Sequence, residues 1–172
     1  MNREEIKQLL PHREPMLLVD WTEGNAEGIR ATYHVTGEEF FVQGHFPGFP
    51  VVPGVILCEI MAQSCTLILG EQLKGHTPFY AGLDKVRFKH MVRPGDTIEI
   101  TAKPISVRGA LYVIGAQATV DGHLAVKGEL SFFLMENKDL KNRITKLEEQ
   151  LNNLLPAMDE AEPDSSEVDK DE

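Results

Sequence analysis

The sequence predicts an α+β domain in which an antiparallel sheet wraps round one long buried central helix. Three observations carry this. The run from Gly54 to Leu69 is of helical length and apolar almost all round, and a helix without a polar face is a buried one. Four β-rich runs follow it and two precede it, each bounded by turn residues. A single buried helix needs cover on every side, and one curved sheet supplies most of it.

Taken in order, residues 4–10 form a short helical candidate that Pro11 stops. Met16–Glu23 and Gly28–Thr36 read as a hairpin about a polar, Gly-containing turn. Residues 37–52 are irregular, because GHFPGFP places two glycines and two prolines in seven residues and so excludes both helix and regular strand. Pro53 suits the first helical position, where a missing N–H costs nothing. Phe79–Met91, Thr97–Arg108, Ala110–Val120 and His123–Met135 are strand candidates. With Pro94-Gly95-Asp96, Gly109 and Asp121-Gly122 as turns, they read as an antiparallel meander.

After Met135 the period changes. Leu140, Ile144, Leu147, Leu151 and Leu154 are spaced 4, 3, 4, 3, an a/d heptad seam with charges between. A helix of about 15–18 residues is marginal alone, so it is expected to dock on the domain or pair with another copy, and to end at Pro156. The expected organisation is a domain over 1–136, a heptad helix over 137–155, and an acidic, disordered tail over 156–172.

The tail dominates the charge. The 172-residue chain carries a formal net charge of −10, and residues 156–172 hold eight acids against Lys170 alone. Such a balance argues against a nucleic-acid binder, which needs a basic footprint, and gives no reason to expect an anionic membrane partner. The opening MNREEIKQLLPHR lacks the apolar core of an export signal, so a cytoplasmic protein is expected. Val51–Leu69 is interrupted by Pro53, Glu59, Gln63 and Ser64, which fits a buried helix better than a membrane span. Cys58 and Cys65 lie about 10 Å apart along a helix axis, too far for a disulfide. In an apolar helix they read as reduced, inert core thiols.

Glu59 is the one charged side chain in the central helix. A buried carboxylate must be paired, protonated or facing a cavity, and desolvation favours the protonated form that a general acid needs. The alternatives are a helix face that reaches solvent, or a structural hydrogen bond to Gln63 at i+4, which would make Gln63 an orienting residue. His45 stands in the GHFPGFP loop and suits proton acceptance near neutral pH. The plainer reading is a loop histidine bonded to backbone. Gly54 and Val55 open the helix, and their outward amides can stabilise an oxyanion. His12, His34, His76, His90 and His123 are scattered, without metal-ligand spacing, so no metal site is expected.

LPHREPMLLVD (10–20), FFVQGHFPGFPVVPGVILCEIMAQ (40–63) and AGLDKVRFKHMVRPGD (81–96) resemble the landmark segments of the β-hydroxyacyl-acyl-carrier-protein dehydratases of bacterial type II fatty acid synthesis, the FabZ type. The resemblance spans roughly residues 5–135. It implies a hot-dog fold and a homodimer with active sites at the interface, commonly assembled as a trimer of dimers. It matches His45 to the catalytic histidine, Glu59 to the catalytic acid from the other protomer, and Gly54 to the glycine whose amide binds the thioester carbonyl. It implies dehydration of a (3R)-hydroxyacyl group on acyl carrier protein to the trans-2-enoyl product, without cofactor or metal. Related dehydratase/isomerases, which make a cis-3-enoyl product, usually carry Asp where this chain has Glu59. A non-catalytic acyl-carrier-binding subunit is the non-enzyme alternative.

The implied carrier is acidic, so a basic docking patch is expected. Lys85, Arg87 and Lys89 alternate on a strand candidate, hence share a face, and Arg93 follows near the next turn.

Overall fold

Six strands form one sheet: β1 (Trp21–Asn25), β2 (Gly28–His34), β3 (His76–Phe88), β4 (Thr97–Arg108), β5 (Leu111–Val120) and β6 (His123–Glu136). A computed structural model describes residues 1–159 of the chain. Two compact units divide the chain, Met1–Met135 and a second beginning at Glu136.

The spatial order of the strands is β1-β2-β4-β5-β6-β3. This corrects the expected meander: β3 does not pair with β4. β4 instead lies antiparallel between β2 and β5, joining the first hairpin to the later strands. β3 crosses to the far edge beside β6, where Lys89 N–H donates to Ala125 O and Gly82 lies against Ser131. The sequence shows strand lengths and turns but not partners, and the intervening residues 89–96 are long enough to carry the chain across.

The hairpin turns follow their residues. Val120 pairs with His123 across Asp121-Gly122, whose φ values of +48° and +75° are those of a type I′ turn. Register slips between Pro104 and Ser106, leaving Ile105 as an extra residue. Proline cannot donate to a ladder, so a bulge at this point lets a central strand tolerate it and bends the sheet.

The inner face of the sheet covers α2 (Gly54–Ser64), which packs against β2, β4 and β5. Ile98, Ile100 and Ile114 supply bulk there, while Ala31, Ala102 and Ala118 leave room for the helix to approach. Ile60 and Met61 of α2 are fully enclosed, and truncating either to Ala should cost about 2–5 kcal/mol. Gly54–Leu73 is long and apolar enough to cross a membrane, and most of it is buried within the fold.

The helix is not continuous to Leu69 as expected. It breaks at Cys65, and α3 (Thr66–Leu69) and a 3₁₀ turn (Gly70–Leu73) follow. Three successive side chains explain the break. Ser64 Oγ donates to Ile60 O, Cys65 Sγ to Met61 O and Thr66 Oγ1 to Gln63 O. Side chains that bond the preceding turn compete with the amide ladder.

At the N-terminus, α1 (Arg3–Ile6) is shorter than expected and opens on a capping box between Asn2 and Glu5. Residues 16–20 are not strand, because this stretch is tied elsewhere. Arg3 donates to Asp20 and to Leu17 O, and the side chain of Gln63 takes the backbone groups of Met16 and Leu18. At the other end, α4 (Asn137–Asp159) runs past Pro156, whose missing N–H removes one bond from the closing turn. The expected acidic tail lies, from residue 160 on, outside the described residues.

Candidate active site

Glu59 leaves α2 on the helix's least buried face, shared with Val55 and Ala62. Its side chain is one-fifth exposed, so it is neither enclosed nor free. Gln63 Nε2 donates to Glu59 Oε1 at 2.9 Å, and His12 Nε2 lies 3.4 Å from the same oxygen.

Gln63 is itself locked. Its Oε1 accepts the Leu18 N–H at 2.8 Å, and its Nε2 also donates to Met16 O at 2.8 Å. A backbone N–H can only donate and a carbonyl can only accept, so the amide cannot flip. The side chain expected to orient Glu59 therefore also staples the 16–18 segment to the helix.

His12 is the residue that sequence reasoning misses, because spacing leaves it one of five scattered histidines. Its Nδ1 is buried without a hydrogen-bond partner among the described residues. A buried orphan N–H is costly, whereas a bare ring lone pair costs less. The tautomer with hydrogen on Nε2 is therefore favoured, and it turns that N–H toward Glu59 Oε1. Gln63 thus holds Oε1 by a hydrogen bond with His12 standing close by, leaving Oε2 as the oxygen able to carry and release a proton. The available signal was position: His12 sits in the first of the three landmark segments.

A cavity of about 80 Å³ opens beside Glu59 and His12, walled by Leu10, Ala62, Leu69, Pro78, Tyr80 and Phe132. Tyr80 donates its hydroxyl to Cys58 O at 3.0 Å. Burial, then the negative charge of Glu59, holds its phenol far above the usual range, so it stays protonated. The two thiols are free and buried. Burial raises Cys58 and pushes Cys65 up to about 12, which makes both poor nucleophiles.

His45 is held by its own loop. Its N–H donates to Val42 O, its carbonyl accepts from Val51 N, and its Nδ1 lies 3.1 Å from Val51 O. A carbonyl accepts only, so Nδ1 carries the hydrogen and Nε2 is left as the proton-accepting nitrogen. The ring stacks on Phe46 with centroids 4.2 Å apart. Gly44, at φ +85°, makes the preceding turn in a conformation that side chains resist. No hydrogen bond or ion pair joins His45 to Glu59 among the described residues.

Pro53 caps α2 rather than opening it, and Gly54 is the first helical residue. The amides of Gly54 and Val55 donate to no other described residue, as the first turn of a helix allows. Gly54 is required by a close approach: a Cβ there would lie 2.9 Å from the Phe88 ring.

The four basic residues expected to form a docking patch are all exposed. Lys85 adopts φ +52°, which interrupts regular alternation, and pairs with Glu129 at 2.7 Å. Arg87 donates to Val86 O, Lys89 follows the end of β3, and Arg93 sits 4.4 Å over the Phe49 ring. Among the described residues no cluster of three His, Cys, Asp or Glu side chains could hold a metal ion.

Comparison with known proteins adds to this geometry. The model of the FabA-like domain family matches residues 10–129. A protein of Clostridium perfringens (strain SM101 / Type A), named 3-hydroxyacyl-[acyl-carrier-protein] dehydratase FabZ, is 50% identical over 135 residues, covering 77% of this chain and 97% of the relative. The chain belongs to the FabZ dehydratase family. A second FabZ, from Caldicellulosiruptor bescii, is 47% identical over 135 residues, covering 76% of this chain and 96% of its own.

Among solved structures, the dehydratase heterocomplex ApeI:P from Xenorhabdus doucetiae superposes with a TM-score of 0.68 at 19% identity. It covers 81% of this chain and 96% of that one. A point mutant of the fluoroacetyl-CoA-specific thioesterase FlK gives 0.57 at 17% identity, covering 72% and 98%. At such identities the likeness shows the fold alone, and that fold is the hot-dog fold.

Proposed function

We propose that the chain dehydrates (3R)-hydroxyacyl-[acyl-carrier-protein] to the trans-2-enoyl thioester in fatty acid biosynthesis, acting in the cytoplasm. The observation that carries this reading is the contrast between two proton sites in a FabZ chain. One imidazole has Nδ1 tied to a carbonyl and Nε2 without a hydrogen-bond partner, and one carboxyl has Oε1 held by Gln63 and Oε2 without one, among the described residues.

The chemistry follows from those two atoms. His45 Nε2 takes the α-proton while the Gly54 amide, at the positive end of α2, stabilises charge on the thioester carbonyl. The Cβ–O bond then breaks as Glu59 Oε2 gives its proton to the leaving hydroxyl, releasing water. The Cα–Cβ double bond takes up the electron pair. Exchange with water returns a proton to Glu59 and removes one from His45.

The two sites are completed by a second copy in a homodimer. The absence of a His45–Glu59 contact among the described residues supports this, as does the small cavity at Glu59, since small-molecule pockets hold about 300–1,000 Å³. β3 is moreover an edge strand exposing Phe79, Leu83 and Phe88, a surface that chains usually cover.

The test is water loss from hydroxyacyl-carrier substrates, read by mass spectrometry with double-bond assignment. Purified His45→Ala and Glu59→Gln should each lose about 10²–10⁴-fold in turnover. Full activity in either sinks the assignment, and a cis-3-enoyl product points to the dehydratase/isomerase. For the carrier, Arg87→Glu with Lys89→Glu should raise KM for carrier-linked substrate and spare a small thioester analogue. Equal effects on both substrates would remove the docking patch.

A further inference from the structure

α4 offers a surface that the dehydratase reading does not use. The family match ends at residue 129, and 135 aligned residues span 97% of the Clostridium relative, so a segment as long as this helix has no counterpart there. Ile144, Leu147 and Leu151 stand 55%, 63% and 58% exposed along one stripe of its 23 residues. Exposed apolar residues at heptad spacing call for a partner helix.

We propose that the partner is α4 of a second copy, in a parallel, in-register two-stranded coiled coil. The spacing assigns Ile144 and Leu151 to a, and Leu140, Leu147 and Leu154 to d. Ile144, β-branched at a, with Leu at every d position favours two parallel strands, and Leu151 at the second a position keeps the seam apolar. Pairing in register sets each seam position against its own copy. The flanks agree. Arg143 falls at g and Glu148 at the following e, so a parallel pair brings Arg143 of each copy beside Glu148 of the other, twice by symmetry.

A coil of two heptads needs its partner held nearby. The homodimer proposed above would do that, and to that extent the inference rests on that reading.

The test is disulfide trapping in the full chain, whose own thiols are buried. Leu140→Cys and Leu147→Cys should each give a covalent dimer under mild oxidation, and Glu149→Cys, at f, should not. Arg143→Glu in the Leu147→Cys chain should slow cross-linking about two- to fivefold, the range of an exposed ion pair, and adding Glu148→Arg should restore it. No cross-link at 140 or 147, cross-linking at only one of them, or equal trapping at 149 would overturn the proposal. Light scattering on the same samples separates the two readings. A dimer without seam cross-links removes the coil alone, and a monomer removes the homodimer and the coil together.

Discussion

His45 and Glu59 are held in opposite ways. His45 takes its hydrogen-bond partners from residues 42–51 of its own loop, all of them backbone groups. Glu59 is set by side chains from afar: His12 lies 47 positions upstream, and Gln63 is pinned by Met16 and Leu18. A base tied to its own loop tolerates change elsewhere. An acid fixed by a distant segment depends on that segment staying docked.

The largest effect tests whether the two residues meet between copies. His45→Ala and Glu59→Gln chains should each be nearly inactive, yet co-expressed together they should regain about a quarter of wild-type activity. Half of the dimers are then mixed, and each mixed dimer holds one intact site. No recovery, with mixed dimers confirmed by native mass spectrometry, places both residues in one copy.

A smaller effect tests the setting of Glu59. Gln mimics the reach of Nε2, whereas Asn mimics Nδ1. His12→Gln should therefore stay near wild type, and His12→Asn should lose about tenfold in kcat with little change in KM, the scale of one polar contact beside the acid. Equal kcat in the two variants would make His12 a packing residue only.

The smallest effect concerns the helix opening. Gly54→Ala must push aside the edge of the Phe88 ring, which yields more readily than backbone would, so the cost should be about 1 kcal/mol, the low end of overpacking. Adding Phe88→Leu should recover most of the thermal stability, and a Gly54→Ala chain as stable as wild type would show that the ring moves freely.

Much was legible because it is local. The Gly/Pro loop, the start of the apolar helix, the Asp121-Gly122 turn and the limits of β4 follow from short-range chemistry, and they appear where expected. The break at Cys65 was also written locally, in the Ser-Cys-Thr run, but an all-apolar pattern masked it. The place of β3 was not legible, since strand pairing depends on which edge the chain reaches after a crossing. His12 was not legible as a partner of Glu59, because no spacing rule links two residues joined only when Gln63 captures an extended segment.

The sequence by itself determined the element types, the nature of the two proton-handling residues and the family, since propensity, turn chemistry and motif all reside in contiguous residues. Only the tertiary structure decided which oxygen of Glu59 is free, which nitrogen of His45 is free, and which histidine stands beside the acid. The bonds at His45 and from Gln63 to Glu59 are short in sequence, but they take their geometry from a folded loop and from the distant segment that Gln63 and His12 tie to the helix, so they exist only once the helix is buried and the loops are fastened to it.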